Sequence, residues 1–284
     1  MERIAVVTDT GSNLSFAQAK ELGIYLLPLQ ITIDETTYQD TLEISTQDIY
    51  NELANGKMPK ISMAAYQKIY DLFEELKKDY DTIFAVPLTN GLSTNASTMQ
   101  SIARELEMNV HVIDMYATCA LEKHVAIWIK KLVDEHKSSE EILKIIQPAI
   151  DESNSLILVK NLQHLKRGGR LTPMAAALAG LLKIYPVLHI NKSTEGRIDV
   201  LNKVRTEKRA DAYAIDKIMD DIDIQHTHIY IIHSNFLEGA DHFKKCFIEK
   251  GVPEQNIHID YISSVIAVHT GLGCIAIQYI REEN

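Results

Sequence analysis

Cysteine is scarce in this sequence, and the three that are present argue against a disulfide framework. Cys119, Cys246 and Cys274 are far apart and odd in number, whereas proteins that depend on disulfides are usually small and rich in cysteine. Long apolar runs are also missing. The opening residues MERIAVVTDT have no extended apolar region typical of a signal peptide, and the later run AAALAGLL is too short to span a bilayer. We therefore expect a reduced, cytoplasmic protein with no transmembrane segment.

Basic residues are fewer than acidic residues in this sequence. The chain has 29 Lys and Arg against 39 Asp and Glu, which gives a net charge of −10. Because non-specific nucleic-acid binding needs a broad cationic surface, we expect no nucleic-acid partner. The 284 residues, of which 46% are hydrophobic, suffice for one large globular domain or two of ordinary size.

The short motifs of the common nucleotide, hydrolase and zinc sites are absent. The sequence contains no Walker-type phosphate loop, no G-x-G-x-x-G turn, no G-x-S-x-G elbow, no H-E-x-x-H and no zinc-type cysteine pairs. His226 and His228 stand two residues apart, but a solvated strand edge explains this spacing better than a metal site. We therefore expect a binding protein rather than an enzyme, without a metal or cofactor.

The first half of the chain alternates strand and helix patterns. IAVVTD, TIFAVPL and NVHVID read as strands, and the first two are continuous apolar runs typical of a buried parallel sheet. LSFAQAKELG predicts a helix that ends at a glycine. ISMAAYQKIYDLFEELKKD predicts a helix with one apolar face, formed by Tyr66, Ile69, Tyr70, Phe73 and Leu76. This alternation favours βαβ units around a parallel sheet.

Two hydroxyl-rich loops follow these strands, where ligands of parallel sheets bind. TGSNLS follows the first strand and TNGLSTNAST follows TIFAVPL. Ser12, Ser93 and Asn95 in these loops are helix caps on one interpretation, and anion ligands at helix starts on the other.

The second half predicts a smaller mixed sheet. KSSEEILKIIQPAIDESNS reads as a helix and a hinge between domains. PVLHINKSTEGRIDVLNKVRT reads as a β-hairpin that turns at Glu195 and Gly196. HIYIIHSN and NIHIDYISS supply further strands, with LEGADHFKKCFIEKG as a helix between them.

Two further stretches combine glycines with basic side chains. HLKRGGRL places Lys166, Arg167 and Arg170 around two adjacent glycines, and AVHTGLGC places His269 just before two others. Glycines permit a close approach of backbone and ligand. If these residues meet the hydroxyls near Ser93, the resulting site suits a carboxylate or phosphate.

The motifs, taken in order, make the chain similar to the DegV family of bacterial fatty-acid-binding proteins over nearly its whole length. TDTGSNLS resembles the family's D-S-T-x-D-L opening, and LLPLQITIDETTYQD resembles its P-L-x-I…Y-x-D segment. LTNGLSTN stands where the family has S-S-x-L-S-G-T. LQHLKRGGRL, KVRTEKRA and HTGLG resemble L-x-x-L-x-x-G-G-R, K-x-R-T-x-x-K and H-T-G-P-G.

The resemblance implies a two-domain α/β fold. Residues 1–153 would form a three-layer α/β/α domain with a parallel sheet, and residues 154–284 a smaller α/β domain with a mixed sheet. One long-chain fatty acid, such as palmitate, stearate or oleate, would bind between them. The protein would present the carboxylate to a separate ATP-binding fatty acid kinase subunit for phosphorylation, and a transient contact with a membrane surface is compatible with this role.

The resemblance also assigns the headgroup site residue by residue. Ser93 matches the serine of L-S-G-T, Arg170 ends the G-G-R motif, and His269 is the late histidine. The segment PKISMAA departs from the family's P-x-T-S-Q-P-S: Ser62 is kept, but Ile61 replaces the threonine, and Met63, Ala64 and Ala65 replace Q-P-S. In L-S-G-T, Thr94 replaces the glycine after Ser93. Ser62 or backbone N–H groups would have to supply the lost hydrogen bond.

Arg205 belongs to a different hypothesis. It lies in the predicted hairpin, in a cluster with Lys203, Lys208 and Arg209. These cations suit an anionic partner surface or the phosphorylated product, and the alternative is a solvated, charged strand end. We expect Arg205 to serve kinase docking rather than acid binding.

Two other functions fit the sequence. The implied fold is shared with the dihydroxyacetone-binding subunit of dihydroxyacetone kinases, in which a histidine holds a small ketone covalently, and His269 could act in that way. The second alternative is a lipid-sensing regulator, which binds another protein and delivers no fatty acid to a kinase.

Overall fold

The structure is a computed structural model that describes residues 2–181 and 183–282. The first part of the chain forms β1 (Ile4–Asp9), α1 (Phe16–Leu22), β2 (Tyr25–Leu27), β3 (Gln30–Ile33), β4 (Thr36–Gln39), α2 (Thr46–Ala54), β5 (Lys60–Ser62), α3 (Tyr66–Leu76), β6 (Thr82–Val86), α4 (Asn95–Glu105), β7 (Asn109–Val112), α5 (Ala120–Asp134) and α6 (Ser139–Glu152). The second part forms β8 (Asn154–Leu158), α7 (Leu162–Arg167), α8 (Pro173–Leu178), β9 (Tyr185–Ile190), β10 (Asp199–Val204), α9 (Glu207–Asp221), β11 (Thr227–His233), α10 (Leu237–Glu249), β12 (Ile257–Tyr261), α11 (Ser264–Thr270) and β13 (Ile275–Arg281).

A four-stranded parallel sheet organises the first part, in the order β2-β1-β6-β7. Every residue of β1 and β6 is buried, as expected for parallel strands that are covered on both faces. Helix α1 ends at Gly23, which takes a φ of +67° that favours glycine. The predicted parallel sheet and the predicted glycine stop are both present.

Helices cover both faces of this sheet and make three layers. Phe84 and Val86 of β6 pack with apolar residues of α5 and α6 on one face. Ile83 and Ala85 point to the other face and pack with α3 and α4, as the two-residue period of a strand requires. The three-layer α/β/α arrangement expected for this half is therefore confirmed.

The helix that was predicted from Ile61 onward begins later, at Tyr66. Residues 60–62 instead form β5, which pairs with β3 in a small antiparallel sheet of order β4-β3-β5. Ile69, Phe73 and Leu76 are buried as predicted, whereas Tyr66 is exposed because it lies at the helix start. This start point places Ile61 and Ser62 on an extended strand beside the loops of the parallel sheet.

A six-stranded mixed sheet organises the second part, in the order β10-β9-β8-β13-β11-β12. All neighbouring strands are antiparallel except β11 and β12. The predicted hairpin turns at Glu195 and Gly196, both at positive φ. The mixed sheet is confirmed, although it has more strands than the parallel sheet, contrary to the expectation of a smaller one. Its central strands β8 and β13 were not marked as strands by the sequence patterns.

Helix α5 joins the two sheets. Ile280 of β13 belongs to the same apolar cluster as the face of α5 that covers the parallel sheet. The buried Gln278 of β13 donates to the carbonyl of Thr118 at 3.0 Å and accepts from the backbone N–H of Leu121 at 3.3 Å. The expected domain boundary between residues 153 and 154 falls between α6 and β8. The division into these two domains stays a prediction.

None of the helices in the described ranges combines the length and the apolar character that crossing a bilayer requires.

Candidate functional site

A cavity of about 570 Å³ opens where loops of the parallel sheet meet the second part of the chain. This volume lies within the range of small-molecule sites. Its wall includes all six residues that the sequence assigned to ligand binding: Ile61, Ser62, Ser93, Thr94, Arg170 and His269. The structure thus brings together segments that are more than 200 positions apart in the sequence, from β5 to α11.

The charge of the cavity wall is unlike that of the whole protein. The chain has a net charge of −10, but the described residues that line the cavity include Arg170, Arg197 and His269 and no acidic side chain. Within the described ranges, neither arginine forms an ion pair with a carboxylate; their charges are therefore not neutralised by the protein. Such a wall favours an anionic ligand.

Ser93 lies on the loop between β6 and α4. Its backbone N–H donates to the carbonyl of Thr89 at 3.1 Å, and its Oγ accepts from the backbone N–H of Asn95 at 3.1 Å. Ser93 therefore satisfies the first backbone N–H of α4, although Thr94 occupies the N-cap position. This bond does not exclude a ligand role, since a hydroxyl that accepts a hydrogen bond retains its own proton for donation. The nearby start of α4 adds backbone N–H groups that favour an anion.

Ser12, the other hydroxyl considered at these strand ends, has a purely local role. It is buried, donates to the carbonyl of Asp9 at 2.7 Å and accepts from Leu14 N–H at 3.4 Å. It does not line the cavity.

The segment that departs from the family pattern forms one side of the cavity. Thr94 is the N-cap residue of α4 but makes no side-chain cap bond; its hydroxyl donates instead to Sδ of Met63 at 3.4 Å. Ser62 is exposed and donates to Oε1 of Gln30 at 3.3 Å. Ile61 is half-buried and has no polar group to offer a ligand, so Ser62 and Thr94 are the side-chain hydroxyls on this side.

The glycine pair of HLKRGGRL serves the packing of the cavity wall. A β-carbon on Gly168 would lie 2.8 Å from Nδ1 of His269, so only glycine lets the imidazole sit against this turn. Gly169 takes a φ of +73°, which turns the chain toward Arg170. The half-buried Arg170 then donates to the carbonyl of Gly168 at 2.8 Å and to that of Leu92 at 3.4 Å. These bonds hold the guanidinium at the junction of the two halves.

His269 occupies the last turn of α11 with its Nδ1 buried and without a hydrogen-bond partner. Burial, together with the nearby charge of Arg170, lowers the pKa of His269 to about 4. The imidazole is therefore neutral near pH 7 in the free protein and carries one N–H donor. A buried polar atom without a partner costs free energy, so a ligand or a water that reaches it would be stabilised.

An apolar extension leads from the cavity toward the mixed sheet. Leu92, Ile198, Ile266 and Thr270 line both the cavity and a narrow space of about 20 Å³ beyond it. The wall of that narrow space is completed mainly by aliphatic side chains, among them Ile157, Ile190, Ile232, Ile262, Cys274 and Ala276. This arrangement offers a polar, cationic end and an apolar end to one ligand.

Arg205 lies outside the cavity wall. It is exposed in the bend between β10 and α9, and Lys203, Lys208 and Arg209 are exposed beside it in sequence. None of these four side chains forms an ion pair within residues 2–181 and 183–282. The described carboxylates therefore leave these cations without an ion pair, and the role of Arg205 in kinase docking stays a prediction.

Sequence reasoning missed several residues of this cavity. Met63 was named only as a departure from the family pattern, Arg197 has no motif that marks it, and Leu92 and Thr270 lie inside quoted motifs without having been singled out. Of the two histidines at 226 and 228, His226 pairs with Asp223 and His228 stacks on His258. No cluster of three or more metal-binding side chains occurs in the part of the chain that the structure describes.

Comparison with known proteins extends these observations. A model of the family described as "Uncharacterised protein, DegV family" matches residues 3–282. A DegV domain-containing protein of Halalkalibacterium halodurans is 30% identical over 289 residues and is covered completely, as is this chain. A fatty acid binding DegV family protein of Streptococcus agalactiae superposes with a TM-score of 0.91 at 28% identity, over 100% of both chains. DegV of Bacillus subtilis, described as a fatty acid binding protein, gives a TM-score of 0.86 at 26% identity over 99% of this chain and 100% of that one.

Proposed function

This chain belongs to the DegV family, and from that premise we propose that it binds one long-chain fatty acid between residues 1–153 and residues 154–284. The carboxylate would lie among Ser93, Arg170 and His269, and the acyl chain would extend toward the mixed sheet. The observation that carries the proposal is the cavity itself, which has a cationic wall without acids and continues into an aliphatic space. The fatty acid binding of the similar Streptococcus agalactiae and Bacillus subtilis proteins supports it.

The apolar extension supplies most of the free energy of binding in this proposal. About fourteen buried methylenes at ~0.8 kcal/mol each give roughly 11 kcal/mol before the costs of association. The narrow space of about 20 Å³ must widen to admit the chain, and the aliphatic side chains that line it can adjust by changing rotamers. One methylene changes affinity by only about fourfold, so palmitate, stearate and oleate are all suitable ligands.

The polar side chains around the carboxylate would orient the fatty acid in the cavity as well as contribute to its affinity. A buried carboxylate needs converging donors, because an unpaired buried charge is very costly. Ser93 and Arg170 have donors without an acceptor among the described residues, and His269 brings a neutral imidazole. These three residues, with Ser62 and Thr94 at the edge of the cavity, replace the hydrogen bond that Ile61 cannot make.

We further propose that the protein is a cytoplasmic acyl carrier that presents the carboxylate to an ATP-binding fatty acid kinase. The cationic cluster around Arg205 is exposed and outside the cavity. It can therefore contact a kinase, or the phosphate that the kinase adds, without holding the acid.

Native mass spectrometry of protein purified without delipidation tests acid binding. We expect a non-covalent adduct whose mass is that of a long-chain fatty acid, confirmed by solvent extraction and chromatography. An empty protein that also fails to take up added palmitate or oleate would refute the proposal. A covalent adduct of a small ketone on His269 would instead support the dihydroxyacetone-kinase-like alternative.

A further inference from the structure

A buried carboxylate, Asp9, anchors both ends of the loop that carries Ser93. Asp9 is the last residue of β1 and has no exposed surface. Its Oδ2 accepts from Nδ2 of Asn95 at 2.6 Å and from the backbone N–H of Leu88 at 2.9 Å. Its Oδ1 accepts from the N–H of Gly11 at 2.8 Å. The loop from residue 88 to residue 95 is thus tied to β1 at its beginning and at its end.

Asn95 connects this anchor to the Ser93 hydroxyl. Asn95 is the first residue of α4, is fully buried, and donates its backbone N–H to Oγ of Ser93 at 3.1 Å. The same residue therefore bonds to Asp9 through its side chain and to Ser93 through its backbone. Because the N–H of Asn95 occupies one lone pair of Oγ, it limits the directions in which the Ser93 hydroxyl can donate.

Asp9 accepts three N–H hydrogen bonds, and a second buried carboxyl group lies near it. Glu122 of α5 is also fully buried near Asp9, and its Oε1 accepts from the Thr8 hydroxyl at 3.2 Å. Burial and the neighbouring Asp9 raise the pKa of Glu122 well above its usual value. Burial also raises the pKa of Asp9, whereas the hydrogen bonds from Leu88, Gly11 and Asn95 oppose this shift.

We propose that Asp9 and Asn95 are positioning residues for the ligand headgroup, because they fix the Ser93 hydroxyl at the cavity wall without touching the ligand. Neither residue lines the cavity, so any effect on binding must act through the loop. The proposal rests on the proposed function, since it assumes that Ser93 donates to a bound carboxylate. The competing interpretation is that the Asp9–Asn95 bond only stabilises the fold.

A double-mutant cycle between Ser93→Ala and Asn95→Ala separates the two interpretations. Calorimetry with decanoate, a soluble medium-chain acid, gives the affinity of the wild type, both single variants and the double variant. We expect Asn95→Ala to weaken binding about tenfold when Ser93 is present and by less than about twofold when Ser93 is already alanine. If Asn95→Ala weakens binding by the same factor whether residue 93 is serine or alanine, or has no effect in either case, the proposal is overturned.

A measurement of stability cannot replace the affinity cycle, because both interpretations predict a lower melting temperature for Asn95→Ala. Asn109→Ala is a control distant from the cavity: Asn109 is exposed, and it also donates from its side-chain amide, to Thr82 Oγ1 at 2.9 Å, at the other end of the same sheet. It should alter stability but not affinity. If Asn95→Ala does not fold, Asn95→Ser carries the same cycle: serine keeps a polar group in this position, but its side chain is too short to keep the bond to Asp9, so the expected factors in the two Ser93 backgrounds are those of Asn95→Ala. Asn95→Ser at wild-type stability but with tenfold weaker binding in both backgrounds would count against the proposal.

The outcomes also separate this inference from the proposed function. A wild type that binds neither decanoate nor palmitate refutes acid binding itself. A wild type that binds, combined with an additive cycle, refutes only the positioning role of Asp9 and Asn95.

Discussion

Gly91 lies directly against Gly196, so that the two loops which wall the cavity touch backbone to backbone. A β-carbon on Gly91 would lie 2.1 Å from the carbonyl carbon and oxygen of Gly196. Gly91 belongs to the loop after β6, and Gly196 to the turn before β10. The contact therefore connects the Ser93 loop to the hairpin that supplies Arg197, and it depends on the absence of a side chain at both positions.

Gly91→Ala should force these loops apart. Overpacking against backbone typically costs about 1–3 kcal/mol, so we expect a lower melting temperature and weaker binding of decanoate. Thermal unfolding and calorimetry measure the two effects. Gly180→Ala is the control, because a β-carbon there meets no atom within 4 Å. If the two variants behave alike, the contact has no role in holding the cavity.

Ile61→Thr should strengthen headgroup binding. Ile61 lines the cavity and is half-buried, and a threonine would add a hydroxyl donor where the family has one. A hydrogen bond to a charged group contributes about 1.5 kcal/mol or more, which corresponds to roughly tenfold tighter binding of decanoate by calorimetry. Ile33→Thr is the control, since Ile33 is equally half-buried in the same apolar cluster but does not line the cavity. Unchanged or weaker binding in Ile61→Thr would place the carboxylate away from β5.

His269 should make the protein lose stability on acidification. The pKa of His269 is about 4 in the folded protein and about 6.5 in an unfolded chain. Between these values the unfolded state binds more protons, so the contribution of the neutral imidazole is present above about pH 6.5 and is lost as pH falls toward the folded pKa. Melting temperatures of wild type and His269→Gln at about pH 7 and about pH 5 should show a larger loss in the wild type. If the melting temperatures of the wild type and of His269→Gln fall by the same amount between the two pH values, the burial of a neutral His269 is contradicted.

Arg205→Ala should retain acid binding but slow acyl-phosphate formation when a cognate kinase and ATP are supplied. The reason is that Arg205 is exposed and outside the cavity wall. Calorimetry with decanoate and a coupled kinase assay with palmitate give the two quantities. Arg104→Ala, which removes an exposed arginine near the far end of α4, should change neither. Loss of acid binding in Arg205→Ala, without a specific kinase defect, would assign Arg205 to the ligand instead.

The sequence predicted those parts of the structure that local pattern controls. β1 and β6 are continuous apolar runs, so both the strands and the parallel sheet could be predicted. Ser93, Thr94, Arg170 and His269 were predicted from motifs that occur in a fixed order, and Ile61 and Ser62 from a further segment that departs from the family pattern. All six line one cavity.

The remaining features depend on contacts between distant residues. β5 has only three residues, and its pairing with β3 rather than its own pattern makes it a strand. The bond between Asn95 and Asp9 joins residues that are 86 positions apart, and no periodicity reports it. Arg197 follows a turn whose shape was predicted, but its place in the cavity wall depends on the contact between Gly91 and Gly196.

The position of α5 between the two sheets affects how the chain can be divided. Its apolar face covers the parallel sheet and also reaches Ile280 of β13, while Gln278 bonds to the backbone at its start. A fragment that ended after α6 would leave part of that face without its partner strand, and a fragment that began at β8 would expose the matching surface of β13. We therefore expect each half to be less stable on its own than in the intact chain, and the two halves to unfold together because α5 packs on both sheets.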